Sequence, residues 1–285
     1  MYIINKGNQI SMKGNKQMDM QSEINITLRD LFNCGRELIL PKEPVSLYRY
    51  VEHLIEVSVK RKYGFKNLLE LGPGADTIFR YLKPDEYTTG TLIDYNQDML
   101  DYNKKILPEH SLHLINMDVM DPKQIKSLNR KWDYIIANGV IEHLNNDSVF
   151  IDHAYELLEE GGILACSTVL HKWLHNKWDH AAGHYRRYSI KELHELFSGF
   201  REVKLIQSSI LQELVRPLFY GRVKHLFNNT LEENNMLIGK EFLTYGTPPY
   251  AGIFGVLRYL MPCYLVVDWS MSAFSGGICF IIARK

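Results

Sequence analysis

Leu68-Leu69-Glu70-Leu71-Gly72-Pro73-Gly74-Ala75-Asp76 is the stretch whose reading decides the fold. Asn67 to Leu71 is a short apolar run that reads as a strand, Gly72-Pro73-Gly74 reads as a tight loop, and residues 77–82 read as the start of a helix. Two glycines let a backbone pass against a ligand where a Cβ would collide. An ordinary strand-to-helix turn leaves the same trace. A dinucleotide-binding loop needs a third glycine where Thr77 stands, which disfavours a nicotinamide cofactor and an oxidoreductase.

The alternation continues in both directions. Strands are predicted at 89–94, 112–117, 134–137, 163–169 and 202–207, and helices at 97–106, 148–159 and 190–197. Upstream, Val45, Leu47, Tyr48, Val51, Leu54, Ile55 and Val59 recur at mostly three- and four-residue spacing, an amphipathic helix over 44–63 that leads into the core. Such a series predicts a parallel sheet covered by helices on both faces, with ligands beyond the carboxyl ends of the strands. After Ser208 the regularity stops until a final strand at 277–283. The expected organisation is a disordered lead-in and helical cap over 1–62, a core over 63–208 plus 275–285, and an apolar insertion or substrate lid over 209–274.

Several residues fall at that carboxyl edge. Asp94 ends the second strand at the spacing where a carboxylate accepts hydrogen bonds from ribose hydroxyls, although a strand-end Asp is often merely solvated. Asp118 follows the third strand, either facing an adenine amino group or starting the Asp121-Pro122 turn. Asn138-Gly139-Val140-Ile141-Glu142-His143-Leu144 follows the fourth. Taken as a set, LLELGPGAD, TLIDYN, Asp118 and DYIIANGVIEHL resemble the class I S-adenosylmethionine-dependent methyltransferases, over about residues 63–208 plus the terminal strand. The resemblance implies a Rossmann-like, doubly wound α/β fold with a mostly parallel seven-stranded sheet. It further implies that Glu70, Gly72 and Gly74 border the methionine moiety of S-adenosylmethionine, Asp94 binds the ribose, and Tyr95 packs near the adenine. Asp118 and Val119 would hold the adenine edge, and Asn138 and Gly139 would line the sulfonium side. Asp76 stands where family loops often carry a third glycine.

The loop after the fifth strand holds His171, His175, His180 and His184 and ends in Gly183-His184-Tyr185-Arg186-Arg187-Tyr188-Ser189. That phrase resembles the GHxRRYS loop of type 11/12-like methyltransferases in small-molecule and cell-surface glycan pathways. A hydroxyl acceptor needs a base, and His184 is the first candidate, with Asp179 and His143 as alternatives. The competing reading is that His184 and Arg186 tie the loop down. Two histidine pairs have i,i+4 spacing, but the interrupting aromatics and Gly183 fit a packed loop better than a metal site. A related ubiquinone-pathway branch uses E-x-x-E-H to assist metal binding, and Gly139 replaces the first Glu here, so no metal is expected. Arg186 and Arg187 read either as an anion clamp or as partners of nearby helix carboxylates.

The 285 residues carry 33 Lys plus Arg against 33 Asp plus Glu, so no global field draws the chain to nucleic acid or an anionic membrane. Four dispersed cysteines form no CxxC pair and fit a reducing cytoplasm. The apolar stretch over 253–283 is interrupted by Arg258 and Asp268, below the ~20 clean residues of a spanning helix. The expected activity is methyl transfer to a small molecule such as a sugar, a secondary metabolite or a lipid-linked precursor, at oxygen before nitrogen or carbon. An apolar lid also leaves room for peripheral membrane contact or a homodimer, and a methyltransferase-like protein without turnover is the alternative from another class.

Overall fold

β1 (Asn67–Leu71), β2 (Thr89–Asp94), β3 (Leu112–Asn116), β4 (Trp132–Asn138), β5 (Leu158–Val169), β6 (Glu202–Ser208) and β7 (Ile278–Arg284) join into one sheet in the order β3-β2-β1-β4-β5-β7-β6. The computed structural model describes residues 23–38, 47–107, 112–208, 228–231, 233–234 and 276–285. β1 to β5 run parallel, and β7 runs antiparallel to both β5 and β6. The order reverses beside β1: the chain steps outward to β2 and β3, then returns to lay β4 on the other side. A sheet reversing there opens a crevice above its strand ends, which is where ligands bind in folds of this kind.

The central strands are apolar on both sides because both are covered. Leu68, Tyr134, Ile136, Ile163, Phe280 and Ile282 face one layer with α1 (Leu28–Glu37), α2 (Leu47–Tyr63) and α3 (Gln97–Ile106). Their neighbours Leu69, Leu71, Ile135, Ala137, Leu164 and Ile281 face the other, with α4 (Pro122–Ser127), α5 (Asp147–Leu157) and α7 (Ile190–Leu196). A fully buried side chain of this kind stabilises the fold by about 1.5–3 kcal/mol, so a one-residue slip in register would forfeit a whole face. Cys34 on α1, Cys166 on β5 and Cys279 on β7 are buried free thiols.

The structure departs from the sequence expectations in places. Residues 77–82 do not start an α-helix; a 3-10 turn at Ile78–Arg80 is followed by a second at Pro84–Glu86. Pro84 lacks the N–H that a continued helix would need there. α1, closed by a Thr27–Asp30 capping box, and α4 were not anticipated, being short and carrying few apolar residues. β5 begins at Leu158 rather than at 163 and carries Gly161 and Gly162 within it. Apart from 228–231 and 233–234, the 209–274 segment lies outside the described residues, as does the lead-in over 1–22. The described residues on either side of it are neighbours in the sheet, because Ser208 pairs with Ile278. Among the described residues, no helix is long and apolar enough to cross a membrane.

Candidate active site

The loop after β1 is held open by its glycines and by three tethers. Gly72 and Gly74 take φ of +65° and +59°, where side chains are rarely tolerated. The Gly72 N–H donates to Ile93 O at 2.8 Å, the Gly74 N–H to Asp94 Oδ2 at 3.3 Å, and Asn103 Nδ2 to Gly74 O at 2.7 Å. Asp94 therefore touches the glycine loop directly. Its other oxygen accepts from the Asn96 N–H at 2.8 Å. Burial pushes the Asp94 carboxyl up, and the two N–H donors oppose that shift. A ligand hydroxyl placed at this carboxylate would add the donors that stabilise its charged form. Two positive-φ glycines beside a buried strand-end carboxylate make a cradle that suits the sugar and chain of a nucleoside cofactor.

The remaining cofactor candidates gather at the same edge, with side chains turned in different ways. Asp94 and Asn116 are register partners at the ends of β2 and β3, and Asn116 Nδ2 donates to Tyr95 O at 2.9 Å while Tyr95 as a whole is 59% exposed. Asp118 is exposed and its Oδ1 accepts the Met120 N–H at 2.8 Å, so its local turn and its open side coexist. Val119 is half-buried, and its carbonyl accepts from His153 Nδ1 at 2.9 Å. Gly139 follows β4 with φ +60° and donates its N–H to Ser167 O at 3.0 Å. Glu70 and Asn138 face inward: the Glu70 carboxylate accepts from the Thr77 hydroxyl and from the Ile78 N–H, and Asn138 Nδ2 donates to Glu56. Burial pushes the Glu70 carboxyl up to about 8. These two side chains shape the loops rather than project from them.

A buried polar row on α2 was not foreseen. Glu52 accepts from the Ser167 hydroxyl, Glu56 from Asn138 and His53, and His53 Nε2 comes within 3.4 Å of Asp76 Oδ2. Burial opposes the charged His53 ring, but the carboxylates of Asp76 and Glu56 outweigh it and raise its pKa to about 10. Asp76, in place of a third glycine, also takes Arg80 Nη1 at 3.0 Å and the Tyr81 hydroxyl at 3.3 Å. The departure at Asp76 thus ties the loop to α2.

The histidine loop converges on Asp179. Its Oδ2 closes the capping box of α6 (Lys177–Ala181) by accepting the Asn176 N–H at 3.0 Å. Its Oδ1 meets His184 Nδ1 at 3.0 Å and Arg187 Nε at 2.8 Å. Burial alone would raise the Asp179 carboxyl, but His184 and Arg187 overcome it and hold it well below the usual range. His143, from the 3-10 turn at Ile141–His143, sets its ring edge-on to His184 with centroids 4.8 Å apart. All three candidate catalytic residues are therefore together. Arg186 reaches Asp147 at 3.1 Å and Arg187 also donates to Leu170 O, so both arginines engage their own loop and helix neighbours.

His171, His175 and His180 each direct Nε2 to a backbone carbonyl, at Gly276, His184 and Asn229, and do not pair as ligands. Among the described residues, Glu142, His143 and His184 bring metal-type donor atoms within 4.8 Å of one another. A tetrahedral ion needs its donors ~3.4 Å apart, and Glu142 already accepts from Thr168 Oγ1 at 2.9 Å. Glu142 is buried beside this site, and its adjacency to His143 in the sequence was its one visible signal.

A family model described as a methyltransferase domain matches residues 46–200. Polyamine aminopropyltransferase 1 of Aquifex aeolicus is 26% identical over 133 residues, 42% of this chain and 47% of that relative. The chain thus matches about half the length of that curated relative. Among solved structures, Haemonchus contortus phosphoethanolamine N-methyltransferase 2, in complex with S-adenosyl-L-methionine, aligns with a TM-score of 0.51 at 15% identity, over 94% of this chain and 59% of that one. The CurJ carbon methyltransferase aligns with a TM-score of 0.50 at 13% identity, over 90% and 58%. At these identities the two structures show a common fold.

Proposed function

The chain belongs to the methyltransferase family whose model its residues 46–200 match, and from that premise we propose that it methylates an oxygen of a small-molecule acceptor, with His184 as the base. It is a class I, Rossmann-like enzyme and its cofactor is S-adenosylmethionine. Gly72, Gly74 and Gly139 frame the methionine half, and Glu70 and Asn138 act by fixing those loops. Asp94 takes the ribose, and Tyr95, Asp118 and Val119 flank the adenine. The acceptor is a sugar, secondary metabolite or lipid-linked precursor, residues 209–274 serve as an apolar insertion or substrate lid, and residues 1–62 as a lead-in and helical cap.

The observation that carries the base assignment is the Asp179–His184 pair at 3.0 Å, placed with His143 at the carboxyl edge of the sheet. Asp179 stays ionised because Arg187 and His184 stabilise its charge. With Nδ1 held by that carboxylate, Nε2 of His184 is the nitrogen that takes the acceptor's proton, and Asp179 stabilises the imidazolium that results. Bound S-adenosylmethionine supplies a methyl group on a sulfonium, which needs an in-line nucleophile and little else.

His184→Ala tests the assignment. Turnover against a panel of hydroxylated acceptors should fall roughly 10²- to 10⁴-fold while cofactor affinity, read by calorimetry, stays within about threefold. Undiminished turnover would instead leave the ring to hold the loop.

A further inference from the structure

Asn103 is fully buried in α3, and its amide nitrogen faces two backbone carbonyls: Gly74 O in the loop after β1 at 2.7 Å, and Met99 O one helical turn back at 3.0 Å. Two acceptors can be met only by a donor, which settles the orientation of the amide. Oδ1 is then turned into the interior, where it has no hydrogen-bond partner among the described residues. A buried acceptor without a partner costs desolvation that nothing returns. An apolar side chain beside Met99 and Leu100 would serve the packing of α3 at least as well. What the amide adds is the bond to Gly74.

That bond closes a ring. The Gly74 N–H donates to Asp94 Oδ2, and the Asn96 N–H, at the cap of α3, donates to Asp94 Oδ1. From Asn96 the helix runs on to Asn103, which returns to Gly74. The two peptide groups that flank the Gly74 Cα are therefore pinned separately, the preceding one through its N–H on Asp94 and the following one through its carbonyl on Asn103. Pinning both fixes the two torsions of Gly74, at φ +59°, in the residue type with the greatest conformational freedom.

We propose that Asn103 is a positioning residue for the cofactor, presetting the Gly74 backbone in the form that binds without itself touching the ligand. This rests on reading the cleft as an S-adenosylmethionine site. A preset loop spares the ligand the entropy of ordering it at the moment of binding, and it keeps the Gly74 N–H aimed at the Asp94 carboxylate. A hydroxyl could not replace the amide. It has one proton for two carbonyls and, on a helix, donates it to the carbonyl four residues back.

The test titrates S-adenosylmethionine by calorimetry into the full chain as wild type, Asn103→Ser and Asn103→Leu, with thermal unfolding of each ligand-free protein alongside. Serine keeps the bond to Met99 O and gives up the one to Gly74, whereas leucine gives up both and fills the space with apolar atoms. Affinity should fall about 5- to 20-fold in both variants, while the unfolding midpoint of Asn103→Leu stays within about 2 °C of wild type or rises. Added to Asp94→Ala, Asn103→Ser should weaken binding by less than about twofold more, because a loop freed at one peptide gains no preset form from a restraint at the other. Wild-type affinity in either single variant, a leucine variant whose midpoint drops along with its affinity, or losses that simply add in the double variant each overturn the proposal. Wild type that does not bind S-adenosylmethionine overturns the cofactor reading beneath it, and with it the proposal.

Discussion

Asp179 closes a helix with one oxygen and gathers a histidine and an arginine with the other. Asp94 has the same economy: its two oxygens hold the Gly74 and Asn96 N–H groups, so the residue proposed to take the ribose also sets the glycine loop. Asp94→Ala should therefore weaken S-adenosylmethionine binding by about 1.5–3 kcal/mol in calorimetric titration, the worth of hydrogen bonds to a charged group. An unchanged affinity would remove Asp94 from the cofactor site. Asp94 was legible in the sequence because strand ends and glycine spacing are local signals. Glu70 was reached only through the family resemblance, and its partners, the Thr77 hydroxyl and the Ile78 N–H, take its carboxylate inward. Asn103, which holds the Gly74 carbonyl at 2.7 Å from the middle of α3, left no signal at all.

At the scale of elements, α2 shows why apolar spacing is a partial guide. Its Val51, Leu54, Ile55 and Val59 announce a helix packed on the core, yet Glu52, His53 and Glu56 are buried as well. Their partners Ser167, Asn138 and Asp76 come from other elements, Ser167 lying 115 positions from Glu52, so no window of sequence contains the pairings. Pairing at this depth makes the docking of α2 sensitive to pH. The pKa of His53 rises from 6.5 unfolded to about 10 folded, so its contribution is fully present below pH 6.5 and lost as pH rises through about 10. Glu70, raised from 4.5 to about 8 by burial, acts in the same direction over a lower window. In urea unfolding at pH 6 and pH 9.5, wild type should lose more stability across the interval than His53→Gln. Parallel losses would mean that the ring does not carry the charge assigned to it.

For the whole molecule, the parallel half of the sheet was readable from alternating elements, but the placement of β7 between β5 and β6 was not, because nothing in a strand's own residues says where it will insert. That placement makes β6 and β7 neighbours, so the segment between them can be removed without cutting the sheet. Since Ser208 and Ile278 are paired, a four- or five-residue hairpin loop in place of residues 210–275 should preserve the sheet and S-adenosylmethionine binding while abolishing acceptor turnover. Circular dichroism, calorimetry and an acceptor assay read the three outcomes, and loss of cofactor binding would place the segment within the cofactor site instead. The same topology equips the protein with its own clock. Cys166 and Cys279 lie on adjacent strands beneath the layer that holds α5 and α7, and burial raises both thiols far above their ordinary range, so they react with an alkylating reagent when that layer lifts from the sheet. Cys34 lies on α1, outside the sheet, and keeps time on the cap. With Cys263 replaced, the order in which mass tags arrive becomes a readable history of which layer of the molecule lets go first.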